Sequence, residues 1–181
     1  MSGPTGWLMV AAMDEDAVRE AVDHVAVSRV QSAYADVVNR RAWDDFTQLF
    51  LPECTITVDK QSQDPLKFVG PKQIGDFIGR SIEGFEFFEF VILNSHIVLG
   101  RGEEGADAAS SRLFMCELRQ DRASGQWTNA FGVYHDQYRR VDGRWWFAQR
   151  HYQSLARTGR GQVFEFPRHP PFIGLSAELP D

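Results

Sequence analysis

Five side chains have the types and spacing for proton chemistry on a small molecule: Tyr34, Asn39, His96, Tyr134 and Arg150. His96 lies in the apolar run "VILNSHIVL". A neutral imidazole takes a proton from carbon or returns one to a leaving hydroxyl, and modest changes in its surroundings tune it near pH 7. Strand alternation places it on one face with Asn94 and Val98. The plain alternative is a core histidine satisfied by a neighbour. Tyr34 offers a phenol to a carbonyl or enolate oxygen, or fills the core with its hydroxyl at the rim. Asn39, in "YADVVNRRAW", cannot ionise but can hold a substrate oxygen or His96.

Tyr134 shares strand parity with Gly132, Asp136 and Tyr138, so it faces a cavity if Gly132 leaves room in the wall. His135 then points to the other side and reads as structural. Arg150 pairs with a buried carboxylate such as Asp136, or grips a substrate carboxylate bidentately. Glu117 and Asp59 are spare carboxylates that a bulged strand could turn inward. Arg157 and Arg160 could grip an anionic ligand tail, though basic loop residues are usually solvated.

The elements that would position these residues are readable. Asp14 or Asp16 caps a helix running to about Arg40, with Val18, Val22, Val25, Tyr34 and Val38 on a helical period. "WDDFTQLFL" predicts a second short helix stopped by Pro52, and "CTITVD" a strand. After the polar loop "KQSQDPLKFVG", Pro71 opens a third helix. Strands follow: "FVILNSHIVLG", "ADAASSRLFMCELRQD", "QWTNAFGVYHDQYRRV" and "RWWFAQRHYQSLA", with "ASGQ" and "VDGR" as hairpin turns. Helices followed by a strand meander predict an α+β domain, a curved antiparallel sheet packed by three N-terminal helices around a pocket. Its expected limits are residues 14–156, with an arm at 1–13 and another at 157–181.

The 181 residues suit one domain, and 43% hydrophobic content with five Trp and fourteen Phe suits a well-filled core or an aromatic cavity. A net charge of −6 argues against nucleic acid or an anionic membrane as the main partner. "WLMVAAM" is too short to span a bilayer. Cys54 and Cys116 read as reduced thiols, so a cytoplasmic location is expected. No Walker loop, strand–GxGxxG–helix unit, H-E-x-x-H or G-x-S-x-G occurs, and the histidines show no ligand spacing. Neither a metal nor a nucleotide cofactor is expected.

The run "GVYHDQYRRVDGRWWFAQRHY", with "RRAWDDFTQLF" and "NSHIVLG" before it, resembles the SnoaL-like branch of the NTF2-like superfamily. Within it the scytalone dehydratase and bile-acid dehydratase type is most similar, over roughly Glu15 to Leu155. The resemblance implies the cone-shaped NTF2-like fold. It also implies a Tyr and an Asp on the first helix facing a His on the strand after the third helix. Tyr34 matches the Tyr and His96 the His, while the Asp falls on Asn39. Asp36 is near in sequence, but two residues is about 200° around a helix.

Two functions stay open. One is a cofactor-independent dehydratase or isomerase acting on a hydrophobic, oxygenated ring compound, with His96 as acid–base and Tyr34, Tyr134, Asn39 and Arg150 holding the substrate. The other is a non-catalytic binding or assembly module resembling the small subunit of a ring-hydroxylating dioxygenase. The expected partner is a small hydrophobic molecule. A homodimer or homotrimer is expected too, because exposed sheet faces need covering.

Overall fold

The computed structural model describes residues 14–100, 105–159 and 162–163. The N-terminal arm and most of the C-terminal arm expected from sequence lie outside the described residues.

Helix α1 spans Glu15–Arg40. The Asp14 side chain accepts from the Asp16 backbone N–H at 3.1 Å, and Arg41 closes the helix in the left-handed region at φ 58°. Its buried stripe is Val27, Gln31, Tyr34, Val37 and Val38, and a turn earlier Asp23 Oδ1 accepts from Arg140 Nη1 at 2.8 Å and from Trp145 Nε1 at 3.1 Å. Val18, Val22 and Val25, periodic in sequence, stay exposed.

A 3-10 helix, Trp43–Gln48, follows, and strand β1 (Phe50–Asp59) begins before Pro52. Pro52 therefore ends no helix. It sits where the pairing of β1 with β6 slips between Phe50 and Thr55, a point at which no ladder N–H is required. The stretch expected to be a loop holds a further strand, β2 (Leu66–Val69), antiparallel to β1. Helix α2 (Gly70–Ile82) has Pro71 in its first turn. Gly70 starts it at φ 78°, where a Cβ would also lie 2.7 Å from the Pro52 carbonyl oxygen.

Strands β3 (Phe85–Leu99), β4 (Ala108–Asp121), β5 (Trp127–Val141) and β6 (Arg144–Arg157) form the meander. Asp142 and Gly143 make the β5–β6 turn with φ of 50° and 73°, the two-residue hairpin geometry that suits strand twist. A short β7 (Gln162–Val163) pairs with β6. The sheet order is β2-β1-β6-β5-β4-β3, antiparallel except for β1 against β6. Register shifts in β3 and β6 bend the long strands, and the bent sheet wraps the helices into an open cone of α+β type.

The core fills the narrow end. Tyr34 stacks on Phe46 at 5.5 Å, Phe50 on Phe147 at 4.9 Å, and Tyr138 lies 4.9 Å from Phe147. A buried polar chain crosses this aromatic layer. Gln31 Nε2 donates to Ser111 Oγ at 3.0 Å and to the Tyr138 hydroxyl at 2.9 Å, and that hydroxyl donates to Asp136 Oδ2 at 3.2 Å.

Candidate active site

The cone encloses a cavity of about 530 Å3, within the range of small-molecule sites. Its deep end is made by Tyr34 from α1, Tyr134 from β5 and Arg150 from β6. Ile56 and Val58 of β1 form one wall, and Ile74, Phe77 and Ile78 of α2 another. Tyr152 completes the sheet side, its ring lying over Gly132, where an added Cβ would meet Tyr152 Cε2 at 2.3 Å. Nearer the mouth the lining turns polar, with Lys60, Glu117, Arg119 and Arg157.

Arg150 is 1% exposed, and register brings it opposite Asp136. Nε donates to Asp136 Oδ1 at 2.8 Å and Nη2 to Oδ2 at 3.0 Å. The guanidinium centre lies 3.9 Å from the ring centroids of both Tyr34 and Tyr134, so two aromatic faces hold its plane. Nη1 remains, buried and without an acceptor among the described residues. The hydroxyls of Tyr34 and Tyr134 stand 3.5 Å apart. Burial pushes both phenols above their ordinary pKa, so they stay protonated donors. Burial also raises Asp136, and the Arg150 guanidinium pulls it back. For Arg150 burial opposes the charge, and Asp136 restores it, leaving the pKa above its ordinary value.

Glu117 supplies a titratable carboxyl to the cavity wall. Alternation along β4 aligns it with the core residues Leu113 and Met115, and register places it across from Ala130 and, one strand further, Arg157. Burial pushes its pKa above the usual carboxylate range, while Arg119, Arg157 and Lys60 act against the shift. Arg119 Nη1 lies 3.5 Å from its Oε2. Tyr152 is pushed up to about 12 by burial and by the Glu117 charge.

The structure brings Tyr34, Tyr134 and Arg150 together and leaves two expected residues elsewhere. His96 is exposed and does not line the cavity. The reason is the register shift between Ile92 and Asn94, which reverses the alternation of β3. Phe90 before it and Ile97 after it are both buried, seven positions apart, so His96 turns to the outer face. There it is in register with Arg112, His135 and His151 across β4, β5 and β6. Asn39 is also outside the cavity. Its Oδ1 accepts from the Phe90 N–H at 2.7 Å and its Nδ2 donates to the Phe90 carbonyl at 3.0 Å, so both ends of the amide tie α1 to β3. Asp36 is exposed and paired with Arg40 at 2.8 Å.

Sequence reasoning gave Glu117 only as a spare carboxylate and missed Lys60. For Glu117, both faces of "RLFMCEL" are apolar, so alternation alone does not choose between them. For Lys60 the signal was its position directly after the strand "CTITVD". No cluster of His, Cys, Asp or Glu able to hold a metal occurs among the described residues. No helix among them is long and apolar enough to cross a membrane.

Residues 19–151 match the model of the SnoaL-like domain. The chain belongs to the SnoaL-like family. Solved structures agree on the fold. A scytalone dehydratase-like protein of Novosphingobium aromaticivorans superposes with a TM-score of 0.65 at 17% identity, covering 89% of this chain and 99% of that one. The hexachlorocyclohexane dehydrochlorinase LinA-type3 of Novosphingobium barchaimii gives 0.66 at 18%, covering 83% and 99%. An NTF2-like protein with a cystatin-like fold, also from Novosphingobium aromaticivorans, gives 0.62 at 15%, covering 77% and 86%. Among curated protein sequences none matches the chain. At these identities the likeness is one of fold, and the SnoaL-like chain must be read from its own cavity.

Proposed function

We propose that this SnoaL-like chain is a cofactor-independent lyase or isomerase acting on an apolar, oxygenated ring compound in the cone. The observation that carries the reading is the convergence of Tyr34, Tyr134 and Arg150 on the cavity wall, with the two hydroxyls 3.5 Å apart and the guanidinium held by Asp136. Three donors fixed in a water-poor pocket are the arrangement that stabilises an enolate-like oxygen.

Glu117 takes the place first expected of His96. Its carboxylate removes a proton from the carbon next to the substrate carbonyl, and the electron pair moves onto the oxygen held by Arg150 and the phenols. In an isomerisation the proton returns to another carbon. In an elimination the C–OH bond breaks, the double bond forms, and the Glu117 carboxyl gives its proton to the departing hydroxide, which leaves as water. Each step balances without an oxidant or reductant. Burial poises Glu117 for this task by bringing its pKa upward toward the working range.

The test is dehydration of ring-based β-hydroxy ketones, read by the enone absorbance, with Tyr34→Phe compared with the unaltered protein. The reading expects turnover that falls by about 10²-fold or more when the donor is removed. Absence of turnover across the ketones, or turnover indifferent to Tyr34→Phe, would contradict it.

One observation favours a second reading, a binding module without chemistry. The histidine and the helix position that carry the acid–base pair in dehydratase-type relatives lie outside this cavity, and the latter is an asparagine tied to backbone. Tight binding of ring ketones with no turnover would select that reading.

A further inference from the structure

The mouth of the cavity holds more positive charge than its own acids engage. Lys60, just after β1, and Arg157, the last residue of β6, are both half-buried and both line the cavity. Neither makes an ion pair among the described residues. Lys60 Nζ lies over the Phe77 ring, 5.1 Å from its centroid, and Arg157 Nε is enclosed without a hydrogen-bond acceptor among the described residues.

The two acids of this region are already occupied. Glu117 is drawn to Arg119, and Asp121 accepts from the backbone N–H of Ala123 at 3.1 Å and from the backbone N–H and hydroxyl of Ser124 at 2.8 Å each. Two cations sharing one partly dehydrated wall repel each other. The ammonium of Lys60 is held below its ordinary pKa by burial first and by the Arg157 charge second, with the Glu117 charge acting the other way. A half-buried cation pair of this kind gains from an anion placed between the two.

We infer that the natural ligand is an amphipathic carboxylate whose apolar ring body fills the cone and whose carboxylate sits between Lys60 and Arg157. The inference rests on the cavity being the ligand site, as in the preceding reading. It narrows the substrate class from a neutral ring compound to a ring acid. The ligand then has two poles, an acceptor oxygen at Arg150 and an anion at the mouth. A single negative charge fits better than a phosphate, because Glu117 shares the wall and repels a dianion. The aliphatic walls of α2 and β1 lie between the poles and take the ring body.

Binding of 2-naphthoate and of methyl 2-naphthoate to the full chain at pH 7, measured by calorimetry, tests the inference. The acid is expected to bind at least about tenfold more tightly than the ester, the scale of one charge-assisted contact. Lys60→Gln combined with Arg157→Gln should abolish the preference and leave ester affinity within about twofold, since the apolar contacts remain. The single variants should each lose part of the preference, and far-ultraviolet circular dichroism checks that all three fold. An ester that binds as tightly as the acid, or a preference that survives the double substitution, would overturn the inference and leave the cavity reading intact. Failure of both compounds to bind would overturn the two together.

Discussion

Arg150 and Asp136 face each other across β6 and β5 with two parallel hydrogen bonds of 2.8 and 3.0 Å, and water reaches neither. The pair anchors the deep end of the cavity, because it leaves one guanidinium nitrogen to serve a ligand while fixing the other two. Removing one partner strands a buried charge. Asp136→Ala is therefore expected to lower stability by about 3–5 kcal/mol, read from the urea midpoint. A loss under about 1 kcal/mol would mean that solvent reaches the site after all.

Glu117 gives a pH signature whose sign follows from its raised pKa. The folded protein keeps the proton to higher pH than the unfolded chain, whose glutamates titrate near about 4.3. Its contribution to stability is thus full below that value and falls as pH rises through the folded pKa. Urea midpoints followed from pH 4.5 to 8 should decline more steeply for the unaltered protein than for Glu117→Gln. A proton-abstraction rate should show the matching rising limb, since only the ionised carboxylate acts as base. Parallel stability curves would remove the buried-carboxyl assignment.

Asn39 is a structural clamp, with both amide ends on the Phe90 backbone. Asn39→Ala leaves the N–H and carbonyl of Phe90 short of partners and should cost about 1–3 kcal/mol. Asn39→Asp restores the acid of dehydratase-type relatives yet loses the donor to Phe90. It is expected to destabilise the fold without raising turnover. A gain in rate for Asn39→Asp would show that this side chain reaches the substrate.

Gly132 lets the Tyr152 ring lie against β5, with no room for a Cβ. Gly132→Ala should push the phenol into the cavity, costing about 1–3 kcal/mol and weakening naphthyl ligands. Unchanged affinity, measured by the same calorimetry, would place the ligand away from that wall.

The fold was legible because its signals are local. The Asp14 cap, Pro71 in the first turn of α2 and the Asp142–Gly143 turn each dictate backbone geometry through their own chemistry. Tyr34, Tyr134 and the Arg150–Asp136 pairing follow from helix and strand periodicity. Pro52 misled because a slipped register accommodates it within β1. His96 was misplaced for a similar reason, since the extra residue near Leu93 reverses every side chain after it and leaves no mark in an apolar run. Glu117 and Lys60 gain meaning from three-dimensional neighbours on other strands, which periodicity along one strand does not report.

The central claim is that proton chemistry belongs to the cone and its Glu117, and not to the outer-face histidine. The most direct measurement is deuterium exchange at the α-carbon of a ring ketone such as 2-tetralone, followed by NMR in D2O with the protein, Glu117→Gln and His96→Gln. The account predicts catalysed exchange that is lost by about 10²-fold or more in Glu117→Gln and retained in His96→Gln. Exchange abolished by His96→Gln and kept by Glu117→Gln would contradict it.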